Sequence, residues 1–572
     1  MARTVTPKVA ALIERGRQLG AAGDFSEAAR AFERALQQMP DLAEVHAMRA
    51  DALVRAGKLE PAQASAERAV RLRPGWGEAL VLRGNIEALL GRPAAAAESF
   101  GHAMKILGPL PLLLANLAGA LLEQERFAEA LAAYDAALKG GAPPQVESGR
   151  ARALMGLGRR AEAEAAWNRI LEREPASVEA LEQLLQIYTA ERRFDELEAV
   201  CERGLAVASS PALFRIFQGF AAWSRGRHED ALAHYRDAAR LARGADPEMF
   251  HEANKNEAMG LFMLGRLGEG WQRYLLRQDR AALRERFPRL AVDPAQIAAA
   301  AAPLCIRIHA DQGIGDDLFF LRFAPLLRAR GHRLASVTYP KLAPLLRTRA
   351  DLFEEVREIG ESVVSQCDVE LQSPDLALAS GEGLAPALGL AVDAARRSAL
   401  AARLQAFGPP PYVGVTWRAG APPADALRHG PALYKQVPVA ELAAVLRPLA
   451  VSVVILQRQP DPAEQAQFVQ ALGRQALDLS PVNDDLADAL ALLSLLDEYV
   501  GVSNTNMHLH AGIGGARARV LVQSPPEWRW GMGEKSPWFP GFDLYRQSEM
   551  GSWAAAFESL QADLSKTLKS GS

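Results

Sequence analysis

Four short segments in the second half of the chain combine acidic, basic and amide side chains with turn-forming residues. Such side chains can deprotonate a hydroxyl group or bind phosphate oxygens. The segments therefore predict a site for a ligand that carries phosphate. They are DQGIGDD (311–317), TWRAG (416–420), ALYKQVP (432–438) and VSNTNMHLHAGIG (502–514).

The first segment places an aspartate where a strand gives way to a helix. Gly313 and Gly315 are expected to allow the tight turn, and Asp316 is expected at the start of the helix, facing a cleft. Two interpretations of Asp316 stay open. It caps the first amides of the helix, or it is a general base that takes a proton from an acceptor hydroxyl. Asp311 and Asp317 are less well placed for the second role.

The next two segments supply positive charge. Arg418 is suited to bidentate binding of phosphate, and Lys435 precedes a helical stretch (440–446), where it can neutralise a departing diphosphate as a point charge. The alternative for both residues is an ordinary solvated side chain. We also count Gln457, at the end of the apolar run 451–457, among the residues that bind the ligand.

The fourth segment predicts a helix N-terminus, whose amides and dipole favour anions. Asn504, Thr505 and Asn506 can cap this helix, bind phosphate, or do both, and His508 is grouped with them. His508 and His510 are two residues apart and cannot share a helix face. Because no Asp-x-Asp signature is present either, we expect chemistry that is independent of metal.

Short apolar runs alternate with helical stretches throughout this half, which predicts parallel sheets. The Pro-rich segment FGPPPY (407–412) divides the pattern into two halves and is a candidate hinge. Ligands bind such sheets beyond the carboxyl ends of the strands, which is where the four segments lie. The predicted strands are 304–310, 333–339, 412–417, 451–457, 476–480, 499–503 and 518–523.

The first half of the chain has a repeat of about 34 residues, typical of tetratricopeptide helix pairs. Seven or eight units fit between Pro7 and Tyr274, with a terminal pair over 249–274. Such arrays form binding surfaces for polypeptides, and Asn116, Asn254 and Asn256 are candidates for gripping a peptide backbone. The repeated small and aromatic residues are Ala28, Phe32 and Ala35, then Ala62, Ala66 and Ala69, then Ala96, Phe100 and Ala103, then Ala130, Tyr134 and Ala137.

Composition narrows the class of protein. A chain of 572 residues is too long for one core, and a formal charge of −3 without a basic tail argues against nucleic acid as a partner. The sequence contains no run of about 18 apolar residues, so no membrane span is predicted. No signal peptide is expected either. Cys201, Cys305 and Cys367 lie far apart, without metal-ligand or disulfide-framework spacing, so a reduced, cytoplasmic location is expected.

The motifs of the second half, taken in order, resemble a known family. DQGIGDDLFFLRFAPLLRARG (311–331) resembles the Gly-x-Gly-Asp opening of heptosyltransferase-like glycosyltransferases. VGVSNTNMHLHAGIGG (500–515), PPEWRW (525–530) and SPWFP (536–540) resemble the closing motif of bacterial tetratricopeptide proteins that carry such a domain. LYK (433–435) looks like the segment with a diphosphate-contacting lysine in O-linked N-acetylglucosamine transferases.

The resemblance implies a helical repeat solenoid followed by a GT-B fold, in which two Rossmann-like halves face a cleft. The implied domains are a repeat array (7–276), a linker (277–302) and two halves (303–408 and 409–572), with a C-terminal helix from Trp553 that crosses back onto the first half. Asp316 matches the proposed base, and 504–508 matches a donor-diphosphate loop. That loop commonly carries Asp-Thr, whereas this chain has Asn504-Thr505, so the donor's identity stays open. Trp528 and Trp530 pack structurally or wall the donor pocket.

The expected function is metal-independent transfer of a sugar from a nucleotide sugar to a polypeptide recruited by the repeats. No cofactor is expected beyond that co-substrate, and repeat arrays are compatible with a homodimer. Two alternatives remain: transfer to a lipid-linked or free glycan, and a non-catalytic repeat scaffold with a degenerate nucleotide-sugar domain. The catalytic residue is expected to be Asp316, and the donor-binding residues are expected to be Gly313, Gly315, Arg418, Lys435, Gln457, Asn504, Thr505, Asn506 and His508.

Overall fold

A computed structural model describes residues 5–288, 292–311, 313–362, 366–381, 384–419, 435–515, 517–524, 526–548 and 552–569. The chain forms two compact units, Met1–Ser209 and Ser210–Ser572. Parts of the predicted segments, namely residue 312, residue 420 and residues 432–434, lie outside the described residues.

The first unit is helical, and each helix packs against the next. Side-chain caps begin α1, α2 and α11; for example, the Asp24 side chain accepts a hydrogen bond from the Glu27 amide at 3.2 Å. Its described helices are α1 (Pro7–Ala21), α2 (Phe25–Gln38), α3 (Ala43–Arg55), α4 (Leu59–Leu72), α5 (Gly77–Leu89), α6 (Pro93–Leu107), α7 (Pro111–Glu123), α8 (Phe127–Lys139), α9 (Val146–Gly156), α10 (Arg160–Arg173), α11 (Val178–Glu191) and α12 (Phe194–Val207).

The repeated alanine and aromatic positions are buried, as the 34-residue pattern predicted. The aromatic ring on the second helix of a pair lies against a glycine on the first helix. A Cβ added to Gly84 would lie 2.5 Å from a ring carbon of Phe100, and one added to Gly16 would lie 2.5 Å from Phe32. The glycines therefore let two helices approach closely enough to bury a ring between them.

Gly84→Ala is expected to destabilise the helical unit by about 1–3 kcal/mol, because the new methyl group overlaps a packed ring. Gly101→Ala is the matched control: it lies within α6, and an added Cβ there meets nothing within 4 Å. That change should stabilise by roughly 0.5–1 kcal/mol through helix propensity. Denaturant unfolding of the full chain, followed by circular dichroism, measures both. Equal effects of the two changes would contradict this packing.

The second unit begins with further helices, which include the segment predicted to end the repeat array. These are α13 (Ala212–Ser224), α14 (His228–Ala242), α15 (Pro247–Met263), α16 (Leu267–Tyr274), α17 (Gln278–Arg286) and α18 (Pro294–Ala298). Trp271 and Tyr274 of α16 are buried. They belong to an aromatic cluster that also draws on residues far along the chain, so the pair α15–α16 contributes to the core of the α/β part. The cluster consists of Phe262, Trp271, Tyr274, Phe319, Phe320, Phe323, Trp528, Trp538 and Phe539.

A four-stranded parallel sheet follows, in the order β3-β2-β1-β4. The strands predicted over 304–310 and 333–339 are β1 and β2, whereas β3 and β4 carry charged residues and were not predicted. Its elements are β1 (Cys305–His309), α19 (Ile314–Phe320), a 3-10 turn (Leu321–Phe323), α20 (Ala324–Ala329), β2 (Arg333–Thr338), α21 (Ala343–Arg347), β3 (Glu355–Glu358), β4 (Val369–Gln372), a 3-10 turn (Ser373–Asp375), α22 (Leu376–Ala379) and α23 (Ala394–Phe407).

Cys305 and Cys367 form a disulfide, with a Cα–Cα distance of 4.7 Å. The expectation that the cysteines lack disulfide pairing was therefore wrong. The two residues are 62 positions apart in sequence, but β1 and β4 are neighbours in the sheet. Cys305 begins β1 and Cys367 closely precedes β4, so strand order brings them together.

A second, six-stranded parallel sheet has the order β12-β11-β10-β5-β8-β9. The five strands predicted from 412 onward are present, and β12 was not predicted. Its elements are β5 (Tyr412–Thr416), an antiparallel pair of β6 (Arg418–Ala419) and β7 (Lys435–Gln436), α24 (Val439–Leu446), β8 (Ser452–Ile455), α25 (Pro462–Leu472), β9 (Leu477–Asp478), a 3-10 turn (Ser480–Asp484), α26 (Leu486–Leu493), β10 (Glu498–Val502), α27 (Thr505–Ala511), β11 (Ala518–Val522), a 3-10 turn (Trp528–Trp530) and β12 (Phe542–Arg546).

The C-terminal helix α28 (Ala554–Lys569) packs against the second sheet. Its Leu560 and Leu564 are buried in one cluster with Leu442 and Leu446 of α24. The sequence resemblance implied that this helix crosses onto the first half. Among the described residues its buried face instead joins the core of the second half.

A buried polar network lies beneath the carboxyl end of β1. The carboxylate of Asp317, which is 1% exposed, accepts hydrogen bonds from Ser373 Oγ at 2.6 Å and from Thr338 Oγ1 at 3.2 Å. Burial raises the pKa of Asp317 to about 6, although these hydrogen bonds act in the opposite direction. Nearby, Asp375 is buried and ion-paired with Arg277 and Arg280 of the α17 region. The network ties α17 to the first sheet.

Asp317→Asn is expected to stabilise the protein at pH 7.5 by about 1–3 kcal/mol. A carboxyl whose folded pKa is raised binds its proton more tightly in the folded state. The free-energy cost of ionising this buried carboxyl is absent below the pKa of the unfolded state, near 4. The cost is complete above the pKa of the folded state, near 6. Denaturant unfolding at pH 7.5 and at pH 4 should therefore show a gain only at the higher pH.

Asp375→Asn is the control for this test, since it weakens the pairing of two buried arginines and should destabilise the protein at pH 7.5. A loss of stability for Asp317→Asn at pH 7.5 would show that its ionised form is needed in the network.

Candidate functional site

A cavity of about 570 Å³ lies at the carboxyl ends of β1, β5, β8 and β10, so both sheets contribute to it. This is where parallel α/β sheets bind ligands. Its described lining carries four cationic and two anionic side chains, a net charge of +2. The residues are Gly313, Ile314, Gly315, Asp316, Thr416, Arg418, Ala419, Lys435, Gln457, Arg458, Gln459, Asn483, Ser503, Asn504, Thr505, Asn506, His508, Glu527 and Arg529.

All ten site residues predicted from the sequence are in this lining, together with several that were not predicted. The most consequential of the latter are Glu527 and Arg529. Their binding and catalytic roles stay predictions, but their side chains share one cavity.

Four charged side chains form an ion-pair chain in the order Asp316, Arg529, Glu527 and Lys435. Arg529 contacts Asp316 Oδ1 through one terminal nitrogen and Glu527 Oε1 through the other. Lys435 Nζ lies 2.6 Å from Glu527 Oε2. Because the charges alternate in sign, each member contacts a neighbour of opposite charge. The chain joins the segment after β1 to the segments around β7 and β11.

Burial and neighbouring charges together set the pKa values of Glu527 and Arg529. Desolvation alone would raise the pKa of Glu527, but Lys435 and Arg529 outweigh it, and the pKa is lowered. Desolvation also opposes the charge on Arg529, yet Asp316 and Glu527 raise the pKa of its guanidinium. Glu527 and Arg529 therefore remain ionised across the neutral range.

Arg529 is held in place by two aromatic rings, those of Trp528 and Phe319. Trp528 and Trp530 are buried, and Trp528 belongs to the aromatic cluster. The Arg529 guanidinium carbon lies 4.5 Å from the Trp528 ring centroid and 5.1 Å from that of Phe319, within the range of a cation–π contact. The Ser536 hydroxyl donates a hydrogen bond to the Arg529 carbonyl at 2.6 Å. The EWRW motif thus buries two tryptophan rings, while its arginine packs on Trp528 and Phe319 and lines the cavity.

Arg418 and Gln457 are engaged within the protein. Arg418 Nε donates to Glu464 at 3.0 Å, and a terminal nitrogen donates to the Gln459 carbonyl at 2.6 Å. Gln457 Oε1 accepts from the amides of Trp417 at 2.9 Å and Arg418 at 3.0 Å, while its Nε2 donates to carbonyls. Gln457 therefore braces the loop after β5, and Arg418 presents its charge at the wall from a fixed position.

Asn504 caps α27, the structural alternative given above. Its Oδ1 accepts from the Met507 amide at 3.0 Å and from the Tyr499 hydroxyl at 3.2 Å. Its Nδ2 donates to Thr416 Oγ1 at 2.9 Å. The asparagine thus joins the carboxyl ends of β5 and β10. An aspartate at this position would have no N–H group to donate to Thr416 Oγ1.

Two further residues of α27 are buried against the cavity. Asn506 donates to Asn483 Oδ1 at 2.8 Å. His508 is 5% exposed and packs against Phe319 and Phe539. Burial, assisted by Arg529, lowers the pKa of His508 well below its usual value, so the ring is neutral. Its Nδ1 is buried and has no hydrogen-bond partner among the residues that the structure describes.

The two predicted glycines have different roles. Gly313 has φ −178° and ψ 167°, an extended conformation that any residue adopts, so the expectation that its conformational freedom makes the turn was wrong. Gly315 lies against α27. A Cβ at Gly315 would be 3.3 Å from His508 and 3.5 Å from Thr505 Oγ1. Its small size therefore permits the close approach of α19 to α27.

A separate cavity of about 630 Å³ lies within the first unit, among α1, α2, α3 and α5. Its wall mixes aromatic and aliphatic side chains with charged ones, as surfaces that bind peptides often do. The residues are Gly16, Arg17, Gly20, Phe25, Ala28, Phe32, Glu44, Ala47, Met48, Asp51, Ala52, Arg55, Trp76, Glu78, Ala79 and Leu82.

The asparagines predicted to grip a peptide are not in this wall. Asn116 donates to Asn85 at 3.0 Å, and Asn256 donates to Glu252 at 3.2 Å. Asn254 is 1% exposed and donates to the Phe250 carbonyl within α15. Burial therefore excludes Asn254 from contact with an extended peptide, and that prediction was wrong.

Across the described ranges, no group of three or more His, Cys, Asp or Glu side chains is arranged to hold a metal ion. In the same part of the chain, none of the helices has the length and apolar character needed to cross a bilayer.

Comparison with known proteins identifies repeats in the first half. Models of the tetratricopeptide repeat match residues 20–86 and 149–212. Protein FlbA of Caulobacter vibrioides is 27% identical over 368 residues, which cover 59% of this chain. The chain spans 58% of the length of that relative.

Solved structures of repeat proteins overlap only parts of the chain. A tetratricopeptide repeat protein from Parabacteroides merdae is 17% identical and covers 44% of this chain and 99% of its own, with a TM-score of 0.36. YrrB, described as a repeat protein with an unusual peptide-binding site, is 17% identical and covers 38% of this chain and 95% of its own, with a TM-score of 0.25. The repeat models and the helical first unit together make the N-terminal part of this chain a tetratricopeptide repeat array.

Proposed function

We propose that the second unit transfers a glycosyl group from a nucleotide sugar to a polypeptide that the repeats recruit. The observation that carries the proposal is the convergence of two acidic side chains, four cations and many hydrogen-bonding groups on a single cavity. The proposal also takes the α/β part to be a GT-B fold, as the sequence resemblance implies. A volume near 570 Å³ is in the range of sites that enclose a small ligand.

The charge of the cavity suits a diphosphate. Lys435 and Arg529 are held by buried contacts, so little reorganisation is needed when negative charge develops beside them. Arg458 adds positive charge at the wall, and Arg418 adds a guanidinium that is paired with Glu464. The net charge of +2 on the described lining favours a ligand with two or more negative charges.

In the proposed reaction, the bond between the anomeric carbon and the phosphate oxygen breaks, and a bond forms from the acceptor oxygen to that carbon. The nucleoside diphosphate leaves with the electron pair, and its charge is taken up beside Lys435 and Arg529. The acceptor hydroxyl transfers its proton to the carboxylate of Asp316. Of the two carboxylates in the described lining, Asp316 is the more exposed, with 28% of its side chain accessible, against 9% for Glu527.

Lys435→Met is expected to weaken binding of the true donor by about tenfold or more, because it removes a fixed cation from the diphosphate position. Lys535→Met is the matched control, since Lys535 is exposed and lies outside the cavity lining. A thermal-shift screen over a panel of nucleotide sugars identifies the donor, which at about 100 times its dissociation constant adds about 2.7 kcal/mol of stability. A flat response across the panel would contradict the proposal.

Asp316→Asn should reduce transfer by about 10²- to 10⁴-fold, the usual contribution of a general base. The measurement is donor-dependent release of nucleoside diphosphate, with folding checked by circular dichroism. Unchanged turnover in a folded variant would remove Asp316 from the catalytic role.

We propose further that the acceptor polypeptide binds the 630 Å³ cavity of the repeat array. Met48→Glu in its wall should weaken modification of the acceptor without altering donor binding, because it places a charge on an apolar surface. Leu89→Glu is the control, since Leu89 is 58% exposed and lies outside that wall. Equal effects of both changes would show that the acceptor binds elsewhere.

A second candidate function is a non-catalytic repeat scaffold that binds a nucleotide. It is favoured by the engagement of Asp316, Arg418 and Gln457 with protein partners. A protein that binds nucleotide sugars but releases no diphosphate with any acceptor would support the scaffold over the transferase.

A further inference from the structure

We infer that Asp316 and the phosphate of the ligand compete for Arg529, so that a phosphate-bearing substrate displaces Asp316 from the guanidinium when it binds. This inference rests on the proposed function for the identity of the reaction. It adds an ion pair within the cavity that the anionic ligand replaces.

The first step concerns the contacts of Arg529. One terminal nitrogen contacts Asp316 and the other contacts Glu527. Glu527 is buried and also bound by Lys435 at 2.6 Å, which fixes it from two sides. Asp316 is more exposed and has Arg529 as its ion-pair partner in the described site. Of the two carboxylates on Arg529, Asp316 is therefore the one that an incoming anion displaces.

The second step concerns charge. A carboxylate brings one negative charge to Arg529, whereas a diphosphate brings two or more and can bridge to Lys435. Arg529 is 7% exposed, and an ion pair to a guanidinium in such surroundings is stronger than one on the surface. When phosphate replaces Asp316, the Arg529 guanidinium keeps an anionic partner, so it is not left buried and unpaired.

The third step concerns the carboxylate that is displaced. The side chain of Asp316, on the first turn of α19, then faces the cavity without its cation.

The placement of Asp317 gives a sharp control. It is the adjacent carboxylate, but it is buried beneath the cavity and bonded to Ser373 and Thr338. It is absent from the cavity lining. Removing the charge of Asp316 or of Asp317 changes the net charge of the protein equally, and only the first change releases Arg529.

The experiment is isothermal titration of the full chain with inorganic pyrophosphate, which contains no sugar or base. Asp316→Asn should bind pyrophosphate about tenfold more tightly than the natural protein, because the competing carboxylate is gone. Asp317→Asn should bind within about twofold of the natural protein. Arg529→Lys should bind about tenfold more weakly, since the planar fork is lost. Circular dichroism confirms that each variant is folded.

Equal or weaker binding by folded Asp316→Asn would overturn the inference, as would equal tightening by Asp317→Asn, or no binding of pyrophosphate by any of the proteins. The outcome is distinguishable from failure of the proposed function. Sugar transfer by the natural protein, with unaltered pyrophosphate affinity in Asp316→Asn, overturns the inference alone. The expected affinities without transfer from any nucleotide sugar overturn the proposed function alone.

Discussion

The buried guanidinium of Arg529 is the constraint around which the candidate site is organised. A cation that is 7% exposed must be paired, and it is paired on two sides, by Asp316 from the segment after β1 and by Glu527 from the segment after β11. The same ion pairs therefore satisfy a buried charge and fix the relative position of the walls of the cavity. Lys435 extends the pairing to the β6–β7 hairpin.

The aromatic cluster makes this arrangement possible. Trp528 packs against Phe262 of α15 and Phe319 of α19, with ring centroids 4.9 and 5.3 Å apart. A short turn after β11 would otherwise have little to hold it. Because Trp528 and Trp530 are buried on either side of Arg529 in the chain, the turn cannot rotate without exposing a ring. The position of the arginine is thus set by hydrophobic burial, and its chemistry by the charges around it.

The sequence was informative wherever a rule links local pattern to position in a sheet. Strands with continuous apolar runs, such as β5 and β10, were predicted within one or two residues, and the ends of parallel strands correctly indicated where the cavity lies. β3 and β4 were missed because they carry charges: Glu370 of β4 is buried by pairing with Arg307 and His309 across the sheet. Such pairing depends on strand order, which local composition does not contain.

The same reason explains the other misses. The Cys305–Cys367 bond follows from the adjacency of β1 and β4. Arg529 lines the cavity as part of an ion-pair chain, and one of its partners, Asp316, is more than 200 positions away in the sequence. The EWRW motif indicated only its two tryptophans. The helices α15 and α16 carry a repeat-like pattern, but their large aromatic rings belong to the core of the α/β part. A local sequence pattern does not specify which surface a helix covers.

The membership of α15 and α16 in the aromatic cluster has a practical consequence for dissecting the molecule. A shortened chain that starts at the first strand, near residue 303, would remove Phe262, Trp271 and Tyr274 and would open the rings of Phe319, Phe320 and Trp528 to water. Large exposed rings promote aggregation, and loss of their neighbours would loosen the turn that carries Arg529. The shortest fragment worth purifying begins near residue 210, where the second compact unit starts.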